Sequence, residues 1–405
     1  MKIGGLFKHW KDDAKGVFVM FKTKVGYSTL VDAFDAGVET ATKAASVGNV
    51  KLGMLFTNCD MDQKKIVEGV KSVFGNKPVI GCTSSGAIVV PEGLISGDSF
   101  AGMMAFSDDD LIVGVAGSEA GKDAREIGKK IAREAINNAG IKKVPSYFYM
   151  VASPKEEEDY LKGIQDVIGT VPFFGGSAAD NTVEGKWSII CNDQVFSDGC
   201  AVAFFYAKNE CKNMYTGAYE ETANAGVVTK INVKRTLMEI DRVPAVKKYA
   251  EWTNQNPEDL MGANLLAASV LRPLGVKDPI GSVTAIRHPM AGNPDYSMNI
   301  GNHLALGTAV MQLETTVDGL IKSNADTLKA LNAKMKKEAK SYFLVHCGGR
   351  KLGIGERANE IYDQVKSVVG NKEFLMIFTF GEYGSNDHSA NTCGGLTLSF
   401  TGFSE

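Results

Sequence analysis

Hydrophobic and polar positions switch between two periods along this chain, and the switches outline repeated strand–helix–strand blocks. In "KLGMLFTNCDMDQKKIVEGVKSVFGNKPVIGCTSSG", from Lys51, a short apolar run gives way to polar residues. Ile66, Val70 and Val73 then recur at helical spacing, Gly75 closes the helix, and a second apolar run is expected to end on Gly81. "SYFYMVASPKEEEDYLKGIQDVIGTVPFFGGSAAD", from Ser146, repeats that order. Tyr160, Ile164, Val167 and Ile168 form the helix face, Gly169 closes it, and Gly175 is the expected strand end. Ser153 reads as the N-cap, Pro154 as the first helical position and Glu156 as the partner in a capping box. The spacing between the two glycines is six in both blocks. A third block, "SYFLVHCGGRKLGIGERANEIYDQVKSVVGNKEFLMIFTFGEYG", has a longer loop, lacks the proline and runs to Gly381. Its "QVKSVVGNK" nearly repeats the earlier "GVKSVFGNK". These parallels point to duplication, with the glycine loops lining one pocket.

Between the blocks, "TLVDAFDAGVETATKAAS" reads as an amphipathic helix with Leu30, Phe34, Val38 and Ala41 inward. "DAREIGKKIAREAINNAG" is another, with Ile127, Ile131 and Ala135 inward and Gly140 as its stop. A late helix spans about Asp318 to Lys340, with Leu320, Leu328, Leu331 and Met335 on one side. "SFAGMMAF", "LIVGVAG", "GCAVAFFYA" and "HLALGTAVMQLE" read as antiparallel strands. The alternation predicts an α/β fold: a two-module sandwich of mixed β-sheets with flanking helices, built from strand–helix–strand units. The small, polar stretch from Ala223 to Lys230 is the expected boundary, giving modules over 17–225 and 226–405.

Composition narrows the classes. The chain has 405 residues, 44% hydrophobic and 22% charged, a soluble globular balance. Its 44 basic and 47 acidic residues give a net charge of −3 with no basic stripe, which argues against a nucleic-acid partner. Short charge runs such as Glu156-Glu157-Glu158 read as solvated helix ends. Seven cysteines without a CxxC pair argue against a disulfide framework, a zinc ribbon or an iron–sulfur cluster, and fit a reducing cytoplasm. The start, "MKIGGLFKHWKDD", lacks the apolar core of a signal peptide, and no long uncharged apolar window predicts a membrane span.

The motifs "VIGCTSSGAI" and "FFGGSAADN", each with the strand before it, resemble the N-terminal module of the FIST (F-box and intracellular signal transduction) family from about Val17 to Phe205. "MEIDRVPAVKKYAEW", "IRHP", "HCGGRKLGIGERANEI" and "FTFGEYG…HSANT" resemble its C-terminal module from about Lys230 to Ser399. The resemblance covers nearly the whole chain and implies a ligand-sensing protein of signal transduction, with small molecules, amino acids among them, as ligands. No kinase, cyclase, methyl-accepting or F-box motif is present, so it implies a sensor acting through a signalling partner in trans. One subgroup of relatives implies an alternative, a haem-binding nitric-oxide sensor.

Several residues are candidates to bind the ligand. The loops at Gly81 and Gly175 let backbone N–H groups approach it closely. Around them Cys82, Thr83, Ser84, Ser85, Gly176, Ser177 and Asp180 supply small and polar groups; the competing reading is two tight turns built for packing. Arg350 can hold a carboxylate in bidentate fashion, or form a surface ion pair. "GIGERA" is a weak match to a dinucleotide loop, without the acidic residue such a unit needs. Glu382, His388, Asn391 and Thr392 cluster after a strand and could read a polar head, or be ordinary loop polarity. For an amino-acid ligand, Arg350 would take the carboxylate and Glu382 or Asp180 the ammonium. The base expectation is no cofactor. Haem b would need an axial ligand, for which His288 in "IRHPM" is the candidate. A cysteine-dependent enzyme using Cys82 or Cys347 is a third reading. His346 adjoins Cys347, but neighbours on a strand face opposite ways, which disfavours a dyad.

Overall fold

The computed structural model describes residues 21–277, 284–385 and 390–405. One pattern of elements runs three times. The first run holds β1 (Lys22–Ser28), α1 (Ala33–Ala45), β2 (Leu52–Thr57), α2 (Gln63–Phe74), β3 (Val79–Thr83), β4 (Ala87–Val90), β5 (Gly93–Ser96) and β6 (Ala101–Ser107). The second holds β7 (Ile112–Glu119), α3 (Ala124–Ala139), β8 (Tyr147–Ala152), α4 (Glu157–Ile168), β9 (Phe173–Ser177), β10 (Ile189–Cys191), β11 (Gln194–Phe196) and β12 (Gly199–Tyr206). The third opens with β13 (Cys211–Thr216) and is then interrupted. The insert holds β14 (Glu220–Asn232), β15 (Thr236–Ile240), β16 (Val243–Pro244), α5 (Ala245–Thr253), α6 (Asn264–Ser269), β17 (Leu274–Lys277), β18 (Thr284–Arg287), β19 (Pro289–Gly292), β20 (Met298–Ile300) and β21 (Ala309–Glu314). The third run resumes with α7 (Val317–Lys334), β22 (Ser341–Cys347), α8 (Gly348–Ile354), α9 (Asn359–Val369), β23 (Glu373–Thr379), β24 (Glu382–Gly384), β25 (Thr392–Gly394) and β26 (Leu398–Phe403).

Three sheets share one strand order: β1-β6-β2-β3-β10-β11, β7-β12-β8-β9-β24-β25 and β13-β26-β22-β23-β4-β5. In each, the strands flanking a crossover helix pair in parallel: β2 with β3, β8 with β9, and β22 with β23. The last two strands of each sheet come from another run. Hairpin β10–β11 completes the first sheet, β24–β25 the second and β4–β5 the third. The three repeats are thus joined in a cycle. The α/β class with mixed sheets and repeated strand–helix–strand units agrees with the sequence expectation. The insert forms a fourth sheet around β14, so the stretch from Ala223 to Lys230 is a strand.

Gly81 and Gly175 do not end their strands. β3 and β9 continue through Thr83 and Ser177. A Cβ at Gly81 would lie 1.7 Å from the Leu55 carbonyl oxygen, and one at Gly175 1.9 Å from that of Met150. These are their own register partners on the parallel neighbour, so the glycines permit close approach of backbones within the sheet.

The helix pairs show the same economy of volume. A Cβ at Gly37 of α1 would meet the Ile66 carbonyl oxygen at 2.2 Å, and one at Gly69 of α2 would meet that of Phe34 at 2.1 Å. Gly128 of α3 and Gly163 of α4 repeat the arrangement, against Tyr160 and Arg125. Close crossing reassigns the buried face of α1 to Ala33, Ala36, Gly37, Thr40, Ala41 and Ala44. Leu30 and Phe34, expected inward, are exposed, and so is Val73 of α2. Helix α4 starts at Glu157, because the Ser153 hydroxyl bonds Asp198 instead of capping.

The inner faces of the three sheets build one central core. Phe56 lies 5.3 Å from Phe343 and 6.4 Å from Tyr149 between ring centroids, and Tyr149 lies 5.8 Å from Phe343. This triangle takes one corner from each sheet. Each fully buried aromatic of this kind contributes about 1.5–3 kcal/mol. The outer faces are covered by α1 and α2, α3 and α4, and α7 and α9.

Candidate functional site

The loops that follow β3, β8, β9 and β22 gather at the carboxyl ends of the parallel strands, where α/β sheets characteristically bind ligands. With the insert they enclose a cavity of ≈ 1210 Å³. The three-sheet body contributes Ser85, Asn181, Gly348, Gly349 and Lys351. The insert contributes Arg235, His288, Asn302 and His303.

A buried carboxylate shapes one wall. Asp180 accepts hydrogen bonds from the backbone amides of Thr182 (3.0 Å), Val183, Glu184 (3.1 Å), Gly185 (2.7 Å) and Lys186 (2.8 Å). It thereby fixes the loop that presents Asn181 and Trp187 to the cavity. Asp180 is fully buried and committed to that loop.

Ion pairs tie the insert to the start of α4. Arg235 Nη2 is 2.9 Å from Glu158 Oε2 and 3.3 Å from Glu157 Oε1, while its Nη1 donates to the Gly301 carbonyl at 2.7 Å. His303 Nδ1 is 3.2 Å from Glu158 Oε2, and Lys234 pairs with Asp159 at 3.0 Å. Glu157 is buried, its Oε2 has no partner among the described residues, and burial pushes its carboxyl upward. Glu157 and Glu158 therefore form a structural junction, whereas Glu156 is exposed, as expected of a solvated helix end.

Lys351, on α8, reaches the cavity wall beside Gly86 and Phe378. It is half-buried, its Nζ stands 5.3 Å from the centroid of the Phe378 ring, and burial holds its amine below the ordinary value. A Cβ at Gly86 would lie 3.1 Å from that Nζ, and Gly86 has φ +65°. Glycine at 86 is thus required for backbone conformation and for the space the amine occupies.

The other expected site residues sit as follows. Ser85 lines the cavity, with its backbone N–H donating to the Phe378 carbonyl at 2.8 Å. Cys82 faces the central core. Thr83 Oγ1 accepts from Ser188 N–H at 3.0 Å, and Ser84 Oγ accepts from Phe378 N–H at 2.9 Å. Gly176 packs against Thr379, and Ser177 Oγ shares a 2.7 Å hydrogen bond with Tyr383. Arg350 is fully buried; its Nη1 and Nη2 donate to the carbonyls of Gly217, Leu396 and Leu320 and to Ser323 Oγ, while its Nε has no partner among the described residues. Glu382 is fully buried, bonded to Thr379 and Thr397. Asn391 donates to the Val171 carbonyl at 2.7 Å, and Thr392 is half-buried in β25. His388 lies outside the described residues. "GIGERA" falls at the end of α8 and in the 3-10 turn after it, away from the strand end that a dinucleotide loop requires.

His288 lines the cavity, but its Nε2 is 3.1 Å from the Leu266 carbonyl oxygen. A carbonyl only accepts, so that nitrogen carries the proton. Burial pulls the ring down to about 4, so it is neutral. As placed, His288 does not offer Nε2 to a haem iron. Cys347 also lines the cavity, and burial pushes its thiol up to about 12. His346 donates from Nδ1 to the Cys347 carbonyl and packs on Phe378, so it does not face that thiol.

Sequence reading missed Lys351, Arg235, Glu157, Trp187 and Asn181. The cavity's insert wall has no counterpart in the repeats and left no repeat signal.

Family models match along most of the chain: the FIST N domain over residues 51–242 and the FIST C domain over 245–385. The uncharacterized protein MJ1623 of Methanocaldococcus jannaschii is 24% identical over 340 residues, covering 76% of this chain and 62% of that protein. The chain therefore spans less than two thirds of this relative's length. Among solved structures, cyanuric acid hydrolase from A. caulinodans is similar at 11% identity and a TM-score of 0.33, over 94% of this chain and 99% of that one. Phosphoribosylformylglycinamidine synthase II from Thermotoga maritima is similar at 8% identity and a TM-score of 0.23, over 95% of this chain and 72% of that one.

Proposed function

The chain belongs to the FIST family, whose domains are sensory modules of signal transduction, and from that premise we propose that it senses a small molecule held between its three-sheet body and its insert. The observation that supports this reading is the ≈ 1210 Å³ cavity with walls from both parts. Ligand sites in proteins commonly measure about 300–1,000 Å³, so the space accommodates a metabolite with bound water.

The signal would be a change in how the insert sits on the body. The two parts are joined by the Arg235–Glu158 and His303–Glu158 pairs and by the Asn302 amide donating to the Cys393 carbonyl at 3.2 Å. A ligand touching both walls favours one mutual arrangement, and a partner protein that recognises that arrangement reads the signal in trans. An amino-acid-like ligand remains part of this proposal, with its polar contacts at the cavity wall rather than at Arg350 and Glu382. Among the described residues no helix is long and apolar enough to cross a membrane.

Gly395 provides the test. It lines the cavity, and a Cβ there would meet only the Asn302 Oδ1, at 4.0 Å. Gly395→Leu fills the space without a backbone clash. Wild type and this variant are screened by thermal shift against amino acids, organic acids and nucleotides. A ligand at a hundredfold excess over its Kd stabilises wild type by about 2.7 kcal/mol. The reading predicts that the variant loses this stabilisation. Equal shifts in both proteins would place binding elsewhere and overturn it.

A further inference from the structure

We propose that the cavity selects a monocarboxylate with an apolar body, and that Lys351 receives the carboxylate. The proposal rests on the reading of this cavity as the ligand site and adds the chemistry of the ligand.

The charges around the cavity lead to Lys351. Of the other cations on its wall, Lys234 pairs with Asp159 at 3.0 Å and Arg235 with Glu158 at 2.9 Å. Lys155 is exposed, so water solvates it. Lys351 is half-buried and has no acidic partner or hydrogen bond among the described residues; its Nζ stands 5.3 Å from the centroid of the Phe378 ring. An ammonium so placed has lost much of its water without gaining a counter-ion, and an anion entering the cavity supplies one. Burial alone holds the amine below its ordinary value, which is the direction that a missing counter-ion produces.

The anion's size and charge follow from the surroundings. Acids and bases on the lining balance in number, Glu156, Glu157, Asp159 and Glu184 against Lys155, Lys234, Arg235 and Lys351, so the cavity carries no general excess that would hold a multiply charged phosphate. Ser85, which lines the cavity and precedes the Gly86 that the amine abuts, carries a hydroxyl able to donate a second hydrogen bond. A Cβ on Gly348, the residue that opens α8, would lie 3.3 Å from Ser85 Oγ. Much of the remaining wall is apolar, with Leu94, Trp187, Met290, Ile300, Leu352 and Phe380. One cation, one hydroxyl and an apolar basin match a single carboxylate on a hydrocarbon or aromatic body.

The test is competitive amine labelling of the whole chain by reductive methylation, with the modification at Lys351 and Lys155 followed by mass spectrometry. Phenylacetate, its neutral isostere phenylacetamide and inorganic phosphate are the probes. Phenylacetate is expected to slow labelling of Lys351 about tenfold while leaving Lys155 unchanged, with phenylacetamide and phosphate giving little protection. The stabilisation of wild type by phenylacetate is expected to be lost in Lys351→Met and largely kept in Lys351→Arg. Equal protection by phenylacetamide, stronger protection by phosphate, or no protection by phenylacetate overturns the assignment. A neutral or cationic compound whose stabilisation is lost in Gly395→Leu but kept in Lys351→Met would leave the cavity as the ligand site and remove only the carboxylate.

Discussion

The backbone amide and the hydroxyl of Thr397 both donate to one oxygen of Glu382, at 3.0 and 2.9 Å, while Thr379 donates to the other at 2.9 Å. Glu382 stands opposite Gly176 in the second sheet, the position that Ile189 takes opposite Cys82 in the first and Ile88 opposite Ile377 in the third. A carboxyl group thus occupies a place that the other two repeats fill with isoleucine.

That placement makes stability pH-dependent. Burial pushes the Glu382 carboxyl up to about 8, against the opposing pull of the Thr397 and Thr379 bonds and of Arg350. Cys347, Tyr215 and Tyr219 are the other titratable groups that sense its charge. A folded-state value above the ordinary one favours the protonated form, so the contribution is whole below about 4.5 and is lost as pH rises through about 8. Glu382→Gln stays neutral throughout. Urea midpoints at about pH 5 and about pH 9 should show wild type losing on the order of 1–3 kcal/mol relative to the variant. Parallel pH profiles would remove Glu382 as the cause.

Arg350 is predicted to act on stability, not on ligand affinity. Its Nη1 and Nη2 are bonded to three carbonyls and Ser323, its Nε is buried without a partner among the described residues, and its side chain is not part of the cavity wall. Arg350→Met strands buried acceptors and should cost about 3–5 kcal/mol. If that variant does not fold, Arg350→Lys, which keeps the charge and loses the fork, should still be destabilised by about 1–3 kcal/mol. A ligand that stabilises wild type should stabilise Arg350→Lys by the same amount. A selective loss of binding at unchanged stability would contradict this assignment.

Asp180→Asn should loosen the loop over residues 182–186 without unfolding the protein. The neutral amide replaces a charged acceptor of several backbone N–H groups, at a cost of about 1–3 kcal/mol. Limited proteolysis should cut the variant in this loop well before wild type. Ligand affinity should fall with it, because Asn181 and Trp187 line the cavity. Unchanged cleavage would show that the loop is held by other contacts.

The buried thiols should be inert. Burial pushes Cys347 up to about 12 and Cys191 likewise to about 12, and raises Cys82 further. Thiolate is the reactive form, so iodoacetamide near neutral pH should leave Cys82 and Cys347 unmodified in the folded protein. Rapid alkylation of Cys347 would restore the case for thiol chemistry in the cavity.

The parts of the fold that local pattern encodes were readable. Each strand–helix–strand unit was recognisable because its strands, its helix face and its closing glycine lie within about forty residues. The cyclic exchange of hairpins was not, since pairing β4 with β23 joins residues nearly three hundred positions apart and no local period records it. Leu30 and Phe34 were misassigned because helical spacing favours large side chains, whereas Gly37 and Gly69 let α1 and α2 meet on small ones. At the site, Ser85 was legible from the glycine-rich strand end. Guanidinium suits carboxylates, which favours Arg350 over its neighbour in the sequence, yet the start of α8 turns Arg350 into the body and Lys351 toward the cavity. Residue chemistry alone does not separate Arg350 from Lys351; the phase of α8 does.

The exchanged hairpins have a consequence for how the chain can be divided. No repeat holds all the strands of its own sheet: cutting after β6 would leave the first sheet without β10 and β11 and the third without β4 and β5. Expressed alone, one repeat would present an unpaired inner strand to solvent and invite aggregation. Separate fragments supplied together should instead knit into the intact body, each needing the others for closure. The three-sheet body is therefore one cooperative unit, whereas the insert, which among the described residues exchanges no strand with it, is free to change its seat.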